Sequence, residues 1–299
     1  SSMINCLIVG LGKIGIEHLK ACCISKKINK IFILDKKSIL DKLIDNKKIF
    51  KYELNKNQET SLLIVSTNAS ERFPTTLKIL KDNFSIRWIV FEKFLSNQIR
   101  EYTQIKFLLK KRNISAFVNC TRRSFPFYKK LKKTIFKKKF HMTVIGNNIS
   151  MGSNSIHFID LFQFFLEDTI KFSCDINIDE KFKSKRRGYY DFNGTLFVYS
   201  NNSSLSIIEN KNLSPAKIYI TSSLHNLYID EIDRKYCLIE KNKSSINSFE
   251  FLNIKDTTNT IISQLIKSGK CDLPSFEISS IAHIEFLKSI RKKHNLIIS

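Results

Sequence analysis

The stretch Ile4-Asn5-Cys6-Leu7-Ile8-Val9, followed at once by Gly10-Leu11-Gly12-Lys13-Ile14-Gly15, joins a short apolar run to a glycine turn. Residues 16–25 continue with helical character, so the segment predicts strand, tight loop and helix in that order. In that setting each glycine of Gly-x-Gly-x-x-Gly has its own task. The first permits the turn, the second lets the backbone approach a pyrophosphate, and the third lets helix and strand pack closely. The helix N-terminus, beginning at Lys13 and Ile14, then faces the phosphates with free N–H groups and a partial positive charge.

Outward from this turn the pattern repeats. Apolar runs at 31–34, 62–65 and 88–91 end at Asp35, at Ser66-Thr67-Asn68 and at Glu92-Lys93, and Ala116-Phe117-Val118-Asn119 reads as a further strand. Short, continuously apolar strands separated by helical stretches predict a parallel sheet covered on both faces. Asp35 falls 20 residues beyond Gly15, the spacing of an acid that binds the ribose hydroxyls of a dinucleotide. A carboxylate there favours NAD, because it repels a 2′-phosphate; Lys36 and Lys37 alongside leave NADP open.

Near residue 120 the periodicity changes. Phe127, Leu131, Ile135 and Phe140 with intervening lysines predict an amphipathic helix, and residues 156–166 an apolar one. Strand-like segments at 195–199, 205–209, 217–221, 226–229 and 236–239 predict an antiparallel meander, and helix returns at 256–268 and 275–292. The expected fold class is α/β: an N-terminal Rossmann domain over 3–120 and a C-terminal α+β domain with an open, mostly antiparallel sheet over 121–299. The last helix is expected to pack back on the Rossmann domain.

Composition narrows the function classes. The 299 residues are 42% hydrophobic and 11% aromatic, which excludes a disordered chain, and no apolar run reaches the roughly 18–20 residues of a membrane span. With no secretory leader ahead of Met3, a cytoplasmic location is expected. Seven cysteines without a C-x-x-C pair suggest reduced thiols, with neither a disulfide framework nor a metal site. The net charge of +23 raises nucleic acid as a partner. A Lys-, Asn- and Ile-rich chain with only 8 Gly and 4 Pro also carries the bias of an AT-rich genome, and no nucleic-acid-binding motif is present, so no specific nucleic acid is expected.

Most of the chain resembles the glucose-fructose oxidoreductase / inositol dehydrogenase / rhizopine-catabolism group of sugar oxidoreductases. The likeness rests on the glycine turn followed by His18, on Ser66-Thr67-Asn68, on Phe91-Glu92-Lys93 where the group has Glu-Lys-Pro, on residues 119–126 (NCTRRSFP), and on His157-Phe158-Ile159-Asp160. Residues 119–133 and 152–161 are most similar to members found among genes for bacterial surface sugars, including sialic-acid-like ones. The resemblance implies a cofactor site at Gly10, Gly12, Lys13, Ile14, Gly15, Asp35, Ser66, Thr67, Asn68, Glu92, Lys93 and Asn119. It implies Lys93, His157 and Asp160 as catalytic residues, with Asn154 and His157 as contacts to a sugar or nucleotide-activated sugar; Arg122 and Arg123, after a strand end and before Pro126, and Arg186 and Arg187, in a basic loop ahead of Gly188-Tyr189-Tyr190, are further expected substrate contacts. A homo-dimer or homo-tetramer is implied as well.

The chemistry suits those residue types. A hydride transfer to or from nicotinamide needs a proton partner for the reacting oxygen, and a histidine titrates near working pH. A lysine ammonium can hydrogen-bond that oxygen and stabilise alkoxide charge. Three departures stand out. The group often carries Asp-x-Gly-x-His, whereas here Ser153-Asn154-Ser155-Ile156-His157 has no acid, and Phe94 and Arg72 replace the usual proline and histidine. The missing acid motivates the alternative of a catalytically impaired dinucleotide-binding sensor or partner protein.

Overall fold

The computed structural model describes residues 3–36, 46–134, 139–169 and 171–299; Lys37 and Ile135 lie outside them. The chain divides into two compact units, Ser1–Asn119 with Leu252–Ser279, and Cys120–Phe251 with Ser280–Ser299. Residues 252–279 thus belong with the first unit although they follow most of the second in sequence.

In the first unit, β1 (Ile4–Val9), α1 (Lys13–Ile24) and β2 (Ile28–Leu34) lead to a short strand β3 (Ile49–Lys51). Then come β4 (Leu62–Val65), α2 (Ala69–Asp82), β5 (Trp88–Phe91), α3 (Ile99–Lys111) and β6 (Ser115–Val118). The strands run parallel in the order β3-β2-β1-β4-β5-β6. This is the Rossmann order, which reverses direction between β1 and β4 and so opens a crevice at their carboxyl ends.

Every residue of β4 and β5 is buried, as strands covered on both faces require. On one face Leu19 and Cys22 of α1 share a core with Ile8, Ile33, Ile64 and Val90. Ile261, Ile262 and Leu265 of α6 (Ile254–Ser268) join it from the far end of the chain. Alternate strand residues face the other way. There Phe73 meets Phe91, Tyr102 and Phe276 edge-on, with ring centroids 5.5, 5.4 and 5.9 Å apart. Phe276 opens α7 (Phe276–Arg291).

The second unit begins with a 3-10 turn at Thr121–Ser124 and α4 (Pro126–Thr134), then β7 (Phe140–Gly146) and α5 (Met151–Phe165). Seven strands follow: β8 (Ser173–Lys183), β9 (Tyr190–Ser200), β10 (Ser203–Glu209), β11 (Lys217–Ser222), β12 (His225–Asp230), β13 (Lys235–Glu240) and β14 (Lys243–Ser248). The eight-stranded sheet is ordered β14-β13-β12-β11-β7-β10-β9-β8 and is antiparallel except for the pair β7 and β10.

The expectation of a simple meander is corrected here. Phe140, read as a helix end, opens β7, which inserts into the middle of the sheet. Phe140, Met142 and Val144 are buried while the residues between them are not, a period of two that marks a strand. On one face of the sheet Leu196, Leu205, Val144, Ile218 and Ile229 are buried. The opposite face leaves Phe197, Tyr199, Tyr219, Ile239 and Ile246 exposed.

Sterics make the glycine turn unforgiving at one position and permissive at another. A Cβ at Gly15 would lie 2.0 Å from the Gly10 carbonyl oxygen, whereas one at Gly12 meets nothing within 4 Å. Gly15→Ala is therefore expected to lower the unfolding free energy by about 3 kcal/mol, and Gly12→Ala to change it by less than about 0.5 kcal/mol, both read by urea denaturation.

Candidate functional site

Backbone hydrogen bonds extend the ladder of the parallel sheet one residue beyond its strands. Gly10 N–H donates to Leu34 O (3.0 Å), Ser66 N–H to Val9 O (2.7 Å), Glu92 N–H to Val65 O (3.0 Å) and Asn119 N–H to Phe91 O (2.8 Å). Asp35, Gly10, Ser66, Glu92 and Asn119 therefore stand in one row along the carboxyl edge, with the reversal of strand order between Gly10 and Ser66.

At the centre of the row, Gly10 adopts φ +85°, and a Cβ there would come 2.9 Å from Thr67 N. Gly12 is exposed and forms the N-cap of α1 without any side-chain cap, so the first amides, from Lys13 and Ile14, depend on other partners. The Asp35 carboxylate accepts from Leu11 N–H, which ties the acid of β2 to the turn. Ser66 Oγ, Thr67 Oγ1 and Asn119 Oδ1 are buried with no hydrogen-bond partner among the described residues. Leaving such atoms unpaired costs about 1–3 kcal/mol each. Asn68 caps α2: its Oδ1 accepts from Glu71 N–H (3.1 Å) and its amide donates to the Glu71 carboxylate (3.2 Å).

Glu92 is 9% exposed and collects donors from both sides. His18 Nε2–H donates to it at 2.8 Å and the Asn119 amide at 2.6 Å. Thr258 Oγ1, which donates to Ile254 O (2.8 Å), lies 2.9 Å from His18 Nδ1, so the ring is held at both nitrogens. Burial works to raise the Glu92 pKa, but His18, Asn119 and Arg72 outweigh it and hold the carboxyl below the usual glutamate range. Arg72 is itself buried and donates to the carbonyls of Thr67 and Phe94. The partly exposed Lys93 thus sits between two anchored residues, joined to Phe94 by a cis peptide bond.

In the second unit His157 is partly exposed on α5, and Asn154 donates to Ile149 O at 2.8 Å. Asp160 is 1% exposed and engaged by Arg123, with Nε to Oδ2 at 2.9 Å and Nη2 to Oδ1 at 2.5 Å. Arg123 also donates to Asp168 (2.8 Å). Burial opposes its charge, but the two aspartates prevail and push the guanidinium pKa further up. Arg122 makes two bonds of 2.8 Å to Glu231, which also accepts from Tyr128 Oη, and lies over the Phe158 ring at 4.4 Å. Asp160, Arg122 and Arg123, expected at a ligand, are thus all occupied by intramolecular pairs. Arg186 and Arg187 are exposed, and among the described residues neither is paired with an acid.

Two acids that the sequence did not single out converge on the start of α5. Glu209 accepts from the amides of Ile149 (2.7 Å), Ser150 (3.1 Å) and Met151 (3.1 Å). Asp191 accepts from Gly152 N–H at 2.6 Å and from the Ser153 hydroxyl at 3.3 Å. Neither belongs to a local motif; only the strand pairing of β9 and β10 brings them to the helix.

No protein-family model matches the chain, and no curated protein sequence matches it. Solved structures do. An oxidoreductase from Agrobacterium radiobacter in complex with NAD+, L-tartaric acid and magnesium aligns at a TM-score of 0.76 and 11% identity, covering 98% of each chain. UDP-N-acetylglucosamine 3-dehydrogenase from Acidithiobacillus ferrooxidans aligns at 0.70 and 10% identity, covering 97% of each. Biliverdin reductase from Synechocystis, in complex with biliverdin and NADP+, aligns at 0.75 and 10% identity, covering 96% of this chain and 98% of that one. These likenesses establish the fold: a Rossmann unit combined with a mostly antiparallel sheet, as in these oxidoreductases.

The buried pairs generate two predictions. Asp160→Ala strands a buried guanidinium and is expected to cost about 3–5 kcal/mol in urea denaturation, most of it recovered in Asp160→Ala/Arg123→Met. Because the folded Glu92 pKa lies below its unfolded value of about 4.3, its contribution to stability is in place above that pH and is lost as pH falls through the lower folded value. Glu92→Gln should flatten the fall of stability below about pH 4 in denaturation curves taken across pH.

Proposed function

We propose that this chain is a nicotinamide-dinucleotide-dependent oxidoreductase acting on the hydroxyl or carbonyl group of a sugar or nucleotide-activated sugar, with a place in the synthesis of surface glycans such as sialic-acid-like sugars. The observation that carries the cofactor assignment is the row at the carboxyl edge of the parallel sheet. The residues there fit a dinucleotide. The open side of Gly12 and the uncapped start of α1 suit a pyrophosphate. Asp35 suits the ribose hydroxyls, and the unpartnered Ser66, Thr67 and Asn119 atoms offer further hydrogen bonds. The Asp35 carboxylate favours NAD over NADP, because it would repel a 2′-phosphate, and Lys36 beside it is paired with Glu71.

When bound, the nicotinamide supplies the hydride acceptor or donor. The chain's own residues manage the oxygen and its proton. Lys93, fixed between Glu92 and the Arg72-bound Phe94, hydrogen-bonds the reacting oxygen and stabilises developing negative charge. His157 takes the hydroxyl proton in oxidation and returns it in reduction. Asp160 holds Arg123 and with it the base of α5, so its contribution is structural. Arg186 and Arg187 give an anionic or phosphorylated substrate exposed guanidinium donors. The exposed aromatic face of the eight-stranded sheet, with Phe197, Tyr199 and Tyr219, is the surface we assign to self-association into a dimer or tetramer.

Fluorescence titration with NADH and NADPH tests the cofactor site. Gly12→Ala and Asp35→Ala should each weaken NADH binding by about tenfold or more, the equivalent of one lost hydrogen bond to a charged group, without loss of the folded state. On a nucleotide-sugar panel, Lys93→Ala and His157→Ala should lower kcat by about a hundredfold or more while NADH still binds. Binding with no turnover by the wild type would replace the enzyme with a dinucleotide sensor, and absence of binding to either cofactor would remove the assignment altogether.

A further inference from the structure

Two loops at the carboxyl edge of the parallel sheet carry residues assigned above to the cofactor and to the reacting oxygen: Ser66-Thr67-Asn68 after β4, and Glu92-Lys93-Phe94 after β5. One side chain binds both. Arg72, in the first turn of α2, is 1% exposed and donates through Nη2 to the Thr67 carbonyl and through Nη1 to the Phe94 carbonyl. Leu95 O lies 3.5 Å from the same Nη1. The guanidinium charge also helps to hold the Glu92 carboxyl below the usual glutamate range. Arg72 thus acts on the residue before Lys93 through charge and on the residue after it through a hydrogen bond.

Capping does not account for this guanidinium, because Asn68 and Glu71 already provide for the start of α2. What it adds is a bridge. The ladder between β4 and β5 ends at Glu92 N–H on Val65 O (3.0 Å), and beyond that point Arg72 carries the connection from Thr67 to Phe94. A planar fork holds two acceptors in one fixed geometry, which a single ammonium on a flexible stem does not. Thr67 is also where an occupant of the crevice is felt. Its Oγ1 and the Ser66 Oγ are buried with no hydrogen-bond partner among the described residues, and a Cβ at Gly10 would lie 2.9 Å from Thr67 N.

We propose that Arg72 is a positioning residue that couples occupancy of the dinucleotide site to the placement of Lys93. A cofactor seated against Ser66 and Thr67 steadies one end of the bridge, and the other end sets the backbone from which Lys93 reaches the substrate oxygen. The inference rests on the cofactor site and on the role of Lys93 in the proposed reaction.

Peptide-resolved backbone hydrogen exchange with and without NADH, read beside turnover, tests the coupling in wild type, Arg72→Lys and Arg72→Gln. In wild type NADH should slow exchange at both 66–69 and 93–97 by about tenfold or more. In the folded variants the protection should persist at 66–69 but shrink at 93–97 to less than about threefold, with kcat at saturating NADH lowered by about tenfold or more. Because Arg72 acts through Lys93, the double variant Lys93→Ala/Arg72→Lys should turn over within about twofold of Lys93→Ala alone, whereas a general structural role adds a further loss. Protection at 93–97 that survives in folded Arg72→Lys overturns the proposal, as does an additive loss in the double variant. If neither Arg72 variant folds, the wild type decides: NADH must protect 93–97, and unchanged exchange there overturns the coupling. A wild type that binds NADH without turnover removes the oxidoreductase reading alone, and the exchange still judges Arg72. Absence of binding to NADH and NADPH removes the coupling together with the cofactor site.

Discussion

The close packing of Gly15 on the Gly10 carbonyl is the constraint on which the first unit depends. That contact lets α1 start directly above the end of β1, and the start of α1 is what aims its amides at the crevice between β1 and β4. The same closeness draws in the neighbouring strand, because Gly10 also lies against Thr67 and Ser66 at the end of β4. A side chain at either glycine would separate helix, turn and strand, and with them the row from Asp35 to Asn119.

Within each unit the structure holds charge by pairing rather than by exposure. Glu92 is kept anionic by His18, Asn119 and Arg72, and in the second unit Asp160, Asp168 and Glu231 hold Arg123 and Arg122. An unpaired ion at these depths would be heavily disfavoured, so each pair restricts the rotamers of everything it touches. Lys93 gains its fixed backbone from such neighbours, and α5 its position from Arg123. The surplus of positive charge, +23 overall, lies largely with exposed lysines and does not enter this framework.

How much of this could be read beforehand differs by kind of feature. The strand, turn and helix at residues 4–24 follow from apolar runs and glycine spacing, and Asp35 from its distance to Gly15. Strand β7 was legible in the alternation of Phe140, Met142 and Val144 but was obscured by the lysine-rich helical spacing just before it. The site residues of the second unit were the least legible. Arg122, Arg123 and Asp160 looked available because their partners could not be seen.

The Rossmann turn, the parallel strands and the row of residues at their ends are legible along the chain, since they arise from periodicity and backbone freedom within a few residues of each position. Only the folded chain settles which charged groups are taken up and which acids cap the start of α5. Glu231 reaches Arg122 across 109 residues of sequence, and Asp191 reaches Ser153 across 38. The physical reason is that a buried ion must find its partner wherever the fold brings one, and the sheet order that brings β9 and β10 to the start of α5 leaves no local mark on the chain.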